Sequence, residues 1–328
     1  MSAATPRELR ILYYGAGWPT NIGNAFLDLG AVAILRAAAP KARIAFASEM
    51  PRWLFSDGLR PAPKRRFGRA SPPRRDAIDN ALDVAAVTRC DLVVFAGMAM
   101  CDTFVRVNGP SIAALSSRGT PVLLLGTGGD RYDAGERRVY RDFLRDVKCI
   151  GFISRDDRSF DMFQDTVTPS IKGIDCGFFL PHAYAPFPLE LPPYAVVNFD
   201  ASPAPALDLR GLRVIRTHHE CFGPTDPGLT RAPDTMISDI PFDYLSLYAQ
   251  AEEVHADRVH ACVAALAYGR RARLYNATPR GLLFEAAGAA DVRRRLVSLD
   301  GAALETARQA QIEHVRRILE LHFGPVDR

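Results

Sequence analysis

The sequence predicts an α/β protein with largely parallel sheets, and three observations support that fold class. Short apolar runs of β type alternate with helical patterns along most of the chain, as in proteins built from strand–helix–strand crossovers. At 328 residues the chain exceeds the usual size of one domain. A Pro-rich stretch at 182–194, HAYAPFPLELPPY, interrupts the alternation and is the best linker candidate. We therefore predict two units, 1–185 and 186–328.

Each element follows from its own residue pattern. Apolar β-type runs predict strands of the first unit at 9–15, 42–48, 91–97, 121–127, 149–154 and 170–176. The helix after the first strand, at 25–38, places Leu27, Ala31 and Leu35 on one face. Similar runs predict strands of a smaller second unit at 195–200, 212–219, 235–240, 252–256 and 272–276. A long amphipathic helix at 302–321 ends the second unit.

Composition restricts the function classes. The net charge of +4 is too small to demand a nucleic-acid partner, and it suits an anionic small molecule or carrier equally well. Six cysteines without CxxC spacing predict buried thiols rather than a metal site. The sequence shows neither an apolar signal region nor a membrane-spanning run, so we expect a soluble cytoplasmic protein. The basic, Pro-rich segment 60–75 is either a solvated loop or an arm for an anionic acceptor, which would allow peripheral contact with a membrane.

The segment 254–269, VHADRVHACVAALAYG, contains the strongest functional signal. A short β-compatible run precedes Asp257, which is a good helix N-cap, and Gly269 supplies the stop. Arg258 and His260 then fall in the first helical turn, at the carboxyl end of a strand, where open parallel sheets bind ligands. Arg suits a carboxylate or phosphate, and His can donate a proton. The alternative is an exposed Arg and a structural His in a helix cap.

A second segment, SRDDRSFDMF at 154–163, repeats this arrangement in the first unit. Arg155 follows a strand and would face the cleft, while Asp156 favours the helix N-terminus that comes next. The alternative is a capped surface helix.

Gly-rich loops follow two further strands. In GAGWPTNIGNAF at 15–26 the glycines do not fit dinucleotide spacing, but Asn21, Gly23 and Asn24 could hold a hydroxyl-bearing ligand. The alternative is a turn that needs Gly and Asn. Gly128 and Gly129 in LLLGTGGD would let a ligand approach the backbone closely.

Taken together, these segments resemble the polysaccharide pyruvyl transferase family. TNIGNAFLDLGAVAIL is similar to its Asn-x-Gly-Asp helix, ISRDDRSFDMF to its strand–Arg-acid–Ser segment, DCGFFLP to its Asp-x-x-Phe-x-Leu, and ADRVHACVAALAYG to its Arg-x-His-Ala helix. The resemblance implies a GT-B-like fold of two Rossmann-like domains facing across a cleft, the first on the acceptor side and the second on the donor side. It also implies a pyruvate ketal placed from phosphoenolpyruvate onto a sugar of a polysaccharide, oligosaccharide or glycolipid, without a metal or a cofactor. By motif position, His260 becomes the general acid, and Arg258 and Arg155 become anion clamps.

Two departures from the family pattern keep other functions open. Asn24 stands where the family has Asp, and Met98 stands where Gly is expected. A GT-B glycosyltransferase using a nucleotide sugar is the second hypothesis, with Glu285 in RGLLFEAAG as a candidate ribose-binding acid. A non-catalytic binding protein with the same fold is the third.

Overall fold

Two parallel β-sheets form the framework of the protein. The computed structural model describes residues 8–49, 82–209, 211–220 and 233–325. The first sheet has the order β2-β1-β3-β4-β5-β6. Its strands are β1 Arg10–Gly15, β2 Arg43–Ser48, β3 Leu92–Gly97, β4 Val122–Thr127, β5 Cys149–Ser154 and β6 Ser170–Ile171. The second sheet has the order β11-β10-β7-β8-β9. Its strands are β7 Tyr194–Asn198, β8 Arg213–Thr217, β9 Thr235–Met236, β10 Glu253–Ala256 and β11 Arg271–Leu274. The predicted α/β class with parallel sheets is confirmed.

Helices connect the strands and pack against both sheets. They are α1 Gly23–Ala38, α2 Val84–Val87, α3 Asp102–Ser117, α4 Ala134–Arg145, α5 Asp157–Phe163, α6 Pro241–Tyr248, α7 Val259–Ala267, α8 Leu283–Ala286 and α9 Gly301–Phe323. Short 3-10 helices cover Trp18–Thr20, Cys176–His182, Pro279–Leu282 and Ala290–Arg293. The central strands β4 and β7 are buried along their whole length, which explains their continuous apolar sequences.

Helix α1 joins the two halves of the molecule. It packs against the 3-10 helix Cys176–His182, against α7 and against α9. The approach to the 3-10 helix is so close that a Cβ atom at Gly30 would lie 1.9 Å from the carbonyl oxygen of Cys176. Any side chain at this position would therefore force the two elements apart. The buried apolar residues of α1 belong to a core that also includes residues of α7 and α9.

The last helix, α9, returns from the second sheet to the first. Its Gln311 side chain accepts a hydrogen bond from the backbone N–H of Ile174 at 3.1 Å. Ile318 packs against Gly151 on β5, where a Cβ would lie 2.7 Å from Ile318 Cδ1. One continuous core therefore connects the end of the chain with the first sheet.

Two predicted strands are shorter than the sequence pattern indicated. Of 170–176, only Ser170–Ile171 pairs with β5, because Asp175 caps the following 3-10 helix by accepting a hydrogen bond from the Gly177 N–H at 2.8 Å. Of 235–240, only Thr235–Met236 pairs with β8, because Pro241 begins α6. The basic segment 60–75 lies outside the described residues. No helix in the described part of the chain is both long and apolar enough to cross a membrane.

Candidate active site

Two adjoining recesses lie where the two halves of the protein meet. The larger one encloses about 780 Å³ of empty space, including its open mouth. Asn21, Arg155, His260 and Arg280 line both recesses. The other residues that line the larger recess include Tyr14, Ala16, Asn24, Glu49, Met98 and Thr103. The smaller recess is lined also by Asp257, Arg258, Asn276 and Thr278.

The N-terminus of α7 opens onto the smaller recess. The prediction that Asp257 caps this helix is wrong, because the N-cap residue is Arg258, in extended backbone, and no side chain caps the first turn. The Asp257 carboxylate instead accepts hydrogen bonds from the backbone N–H groups of residues 200–202 at 2.8–3.0 Å. The first turn of α7 therefore presents its positive dipole end to the recess.

Arg258 is held by two carboxylates. Its Nε donates to Asp200 Oδ2 at 2.8 Å, and a terminal nitrogen donates to Glu220 Oε1. Burial lowers the pKa of Arg258, but the two carboxylates outweigh burial and leave it above its ordinary value. The guanidinium is thus permanently charged and fixed in orientation, with 21% of its side chain still exposed to the recess.

His260 faces a buried carboxylate, Asp175, that the sequence motifs did not assign to the site. Its Nε2 lies 3.7 Å from Asp175 Oδ2, and neither atom has a hydrogen-bond partner among the described residues. The Asp175 side chain is fully buried, whereas 13% of the His260 side chain is exposed. Burial raises the pKa of Asp175, but His260 and Arg155 outweigh burial and leave the pKa below its ordinary value. An ionised Asp175 therefore lies behind the imidazole.

Arg155 reaches the recess from β5 but is only 1% exposed. It donates to the carbonyl oxygen of Gly129 at 2.7 Å and to Tyr132 Oη at 3.4 Å, and its Nε lies 3.4 Å from Asp156 Oδ2. Asp156 caps α5, in agreement with its predicted place at the helix N-terminus. A Cβ at Gly128 would lie 2.5 Å from Arg155 Nε, so this glycine makes room for the arginine. Gly128 and Gly129 lie behind Arg155 and do not line either recess.

The loop before α1 contributes two amide side chains. Asn21 Oδ1 accepts a hydrogen bond from the Gly23 N–H at 3.1 Å, and both Asn21 and Asn24 line the larger recess. A Cβ at Gly23 would lie 2.9 Å from His260 Cβ, so the absence of a side chain lets α1 approach α7. The predicted loop and the predicted Arg-x-His segment are therefore neighbours in space, although more than 200 residues separate them in sequence.

Other residues of the recess escaped the sequence interpretation. Asp175 begins the DCGFFLP motif, so a signal was present but its role was not assigned. Arg280 begins the RGLLFEAAG segment, in which only Glu285 was a candidate, and Glu49 lies outside all the motifs. In contrast, Glu285 is exposed on α8 and lines neither recess. Within the described residues there is no cluster of three or more side chains suited to a metal ion.

Solved structures resemble this chain in fold alone. A UDP-N-acetylglucosamine 2-epimerase from Rickettsia bellii has a TM-score of 0.51 at 11% identity, with 97% of each chain covered. The epimerase from Methanocaldococcus jannaschii has a TM-score of 0.51 at 12% identity, with 95% of this chain and 100% of the other covered. A Staphylococcus aureus protein, MnaA, solved with UDP, has a TM-score of 0.51 at 9% identity, with 97% and 92% covered. The fold is therefore GT-B-like.

The sequence comparison is more specific. No curated protein matches the chain. The family model described as polysaccharide pyruvyl transferase matches residues 21–276, most of the chain, from the Asn21 loop to the Asn276 that lines the smaller recess. The chain belongs to the polysaccharide pyruvyl transferase family.

Proposed function

We propose that this protein forms a pyruvate ketal on a sugar, with phosphoenolpyruvate as the donor. The observation that supports this proposal best is the set of four groups around one recess, namely Arg155, Arg258, Arg280 and the His260–Asp175 pair. Three guanidinium groups suit a donor that carries both a carboxylate and a phosphate. The imidazole supplies a proton for the carbon atom that must become a methyl group.

The three arginines differ in how much of their charge is already balanced. Arg258 has two carboxylate partners, and Asp156 lies beside Arg155. Arg280 has no ion-pair partner within the described parts of the chain; its Nε donates to Thr278 Oγ1 at 3.4 Å. Arg280 is exposed as a whole residue, but its guanidinium end lies among protein atoms. Burial of that end lowers the pKa of Arg280, and the charges of Arg155 and Arg258 lower it further. A bound phosphate would relieve this repulsion, so we assign the phosphate to Arg280 and the first turn of α7.

The His260–Asp175 pair suits the first chemical step. In this proposal the imidazolium of His260 protonates C3 of phosphoenolpyruvate, while the carboxylate of Asp175 holds the ring in place. The developing positive charge makes C2 electrophilic, and an acceptor hydroxyl bonds to it. A second hydroxyl then displaces phosphate, which leaves with the electron pair of the C2–O bond. Of the two hydroxyl protons released, one balances the proton added to C3 and the other leaves on phosphate.

Donor binding gives the first test. Isothermal titration with phosphoenolpyruvate should show a Kd that rises about 10- to 100-fold in Arg280→Gln, because a charge-assisted contact is lost. The control is Arg294→Gln, an exposed arginine outside the recesses, for which the Kd should not change. Equal affinities in the wild type and Arg280→Gln would contradict the assignment of the phosphate. Binding of UDP without binding of phosphoenolpyruvate would instead favour a nucleotide-sugar transferase.

Turnover gives the second part of the same test. With methyl glycosides of glucose, galactose and mannose as acceptors in D₂O, the ketal methyl group should carry one deuterium, because its third hydrogen comes from solvent. Proton NMR of the product and colorimetric phosphate release measure the two halves of the reaction. Loss of phosphate without a ketal would show hydrolysis rather than transfer.

A further inference from the structure

The first-sheet side of the larger recess has a chemistry different from that of the α7 side. It is lined by residues at and beyond the carboxyl ends of β1, β2 and β3, namely Tyr14, Glu49, Phe95, Met98 and Thr103, together with Asn24 from α1. Among the described residues of this lining, Glu49 is the sole carboxylate. A neutral, partly aromatic surface with one carboxylate suits an uncharged sugar ring whose hydroxyl must lose a proton.

We infer that Glu49 is the general base that deprotonates the acceptor hydroxyl, an inference that rests on the proposed function. Glu49 follows β2 directly, so the strand fixes its backbone at the edge of the recess. Its Oε1 accepts a hydrogen bond from the Gly17 N–H at 3.3 Å, and its Oε2 accepts one from Asn108 Nδ2 at 3.0 Å. These two neutral N–H donors hold the carboxylate in one orientation at the edge of the recess.

Asn108 makes this arrangement rigid. The residue is fully buried on α3, and its amide nitrogen is directed at Glu49. A positioned carboxylate of this kind is what general-base catalysis needs, because the base must lie within hydrogen-bond reach of the proton it removes. Glu49 is only half-buried and lines the open recess.

Asn24 on α1 lines the same recess as Glu49 but has no acidic group. Its amide cannot accept a proton near neutral pH. The carboxylate on this side of the recess is therefore the one at the end of β2, Glu49. The amide of Asn24 remains available to bind a sugar hydroxyl.

The proton balance assigns a role to both titratable groups. As the first hydroxyl oxygen bonds to C2, its proton moves to Glu49, while His260 delivers a proton to C3. As the second hydroxyl oxygen displaces phosphate from C2, its proton returns to the neutral His260. The proton held by Glu49 leaves on the phosphate oxygen. Glu49 ends ionised and His260 ends protonated, so the enzyme is regenerated without another reactant.

Glu49→Gln tests the assignment, because it keeps the shape of the side chain and removes its basicity. We expect kcat with the methyl glycosides to fall about 10²- to 10⁴-fold, with the Kd for phosphoenolpyruvate changed less than twofold. The acidic limb of the kcat/KM pH profile, which reports protonation of the base, should disappear. Retained donor binding shows that the variant is folded. A kcat above one third of the wild-type value, with the acidic limb in place, would overturn the inference.

Two further variants separate catalysis from structural support. Glu49→Asp keeps a carboxylate and should retain the acidic limb at reduced kcat, and added formate should restore part of the activity of Glu49→Ala. Absence of both effects would assign Glu49 a structural role and overturn the inference. Wild-type protein that binds phosphoenolpyruvate but yields no ketal would overturn the proposed function itself, whereas normal turnover by Glu49→Gln would overturn this inference alone.

Discussion

Two buried aspartates, Asp28 and Asp257, each hold one side of the recess together, and their surroundings differ. The Asp257 carboxylate accepts hydrogen bonds from the three backbone N–H groups of residues 200–202. It also accepts one from the Ser202 hydroxyl at 3.2 Å. That loop contains Asp200, which in turn pairs with Arg258. On the α7 side, a carboxylate thus fixes the position of a second carboxylate, which orients an arginine.

On the first-sheet side, Asp28 is surrounded by neutral donors. It accepts hydrogen bonds from the Tyr13 hydroxyl at 2.8 Å, from Trp18 Nε1 at 2.7 Å and from the Ala16 N–H at 3.1 Å. Burial raises the pKa of Asp28 to about 7, and the charge of Glu49 adds to the rise. The comparison teaches that the α7 side is organised by charge pairs, whereas the first-sheet side contains a buried carboxylate whose pKa is raised to about 7.

The largest expected effect comes from removing the proton donor on the α7 side. His260→Gln should lower kcat about 10²- to 10⁴-fold, since general acid catalysis is lost while the ring is replaced by a neutral amide. Asp175→Asn should give a smaller loss, because the imidazole remains but its buried partner is neutral. Phosphate release from phosphoenolpyruvate measures both.

The control for this experiment is His322→Gln, an exposed histidine near the end of α9. Its kcat should equal that of the wild type. If His260→Gln turned over as fast as this control, His260 would not be the proton donor. The chemical step would then have to be assigned to residues outside the α7 side.

The second prediction concerns the loop held by Asp257. Asp257→Ala leaves three backbone N–H groups without their acceptor, so we expect the free energy of unfolding to fall by about 2–3 kcal/mol. Urea denaturation followed by circular dichroism measures this change, and Asp239→Ala, at an exposed position, is the control. Because the loop carries Asp200, affinity for phosphoenolpyruvate should fall as well. A destabilised variant with unchanged affinity for phosphoenolpyruvate would show that the loop does not control the orientation of Arg258.

The sequence was a good guide where the pattern is local. The runs at 9–15 and 91–97 correspond to Arg10–Gly15 and Leu92–Gly97, because alternating or continuous apolar residues report directly on strand burial. It was a poorer guide at 170–176, where pairing with β5 stops at Ile171 and the Asp175 side chain caps the 3-10 helix that follows. Side chains that compete for backbone partners in this way disrupt periodicity without a strong compositional signal.

The site illustrates the same limit at longer range. The family motifs identified Arg155, Arg258 and His260, but Asp175 contacts His260 across 85 positions of sequence, and Glu49 meets the recess through the order of the strands in the sheet. Asp is a residue type that is common at helix N-caps. The oxygens of Asp257 nevertheless accept hydrogen bonds from backbone N–H groups more than 50 positions away. Such pairings depend on tertiary structure, so no local rule could have predicted them.

The smallest expected effect is on stability as a function of pH, and it tests the buried carboxylate of the first-sheet side directly. The pKa of Asp28 is about 7 in the folded protein, above its ordinary value of 3.8, so the folded state holds this proton more tightly than the unfolded state. The contribution is therefore fully present below about pH 4 and is lost as pH rises through 7. Between pH 5 and pH 8 the free energy of unfolding should fall by roughly 2 kcal/mol more in the wild type than in Asp28→Asn, as measured by urea denaturation at each pH. Parallel curves for the two proteins would show that Asp28 does not titrate in this range. A divergence would mean that the folded protein holds a proton on Asp28 that the unfolded chain has released, as its burial among neutral donors requires.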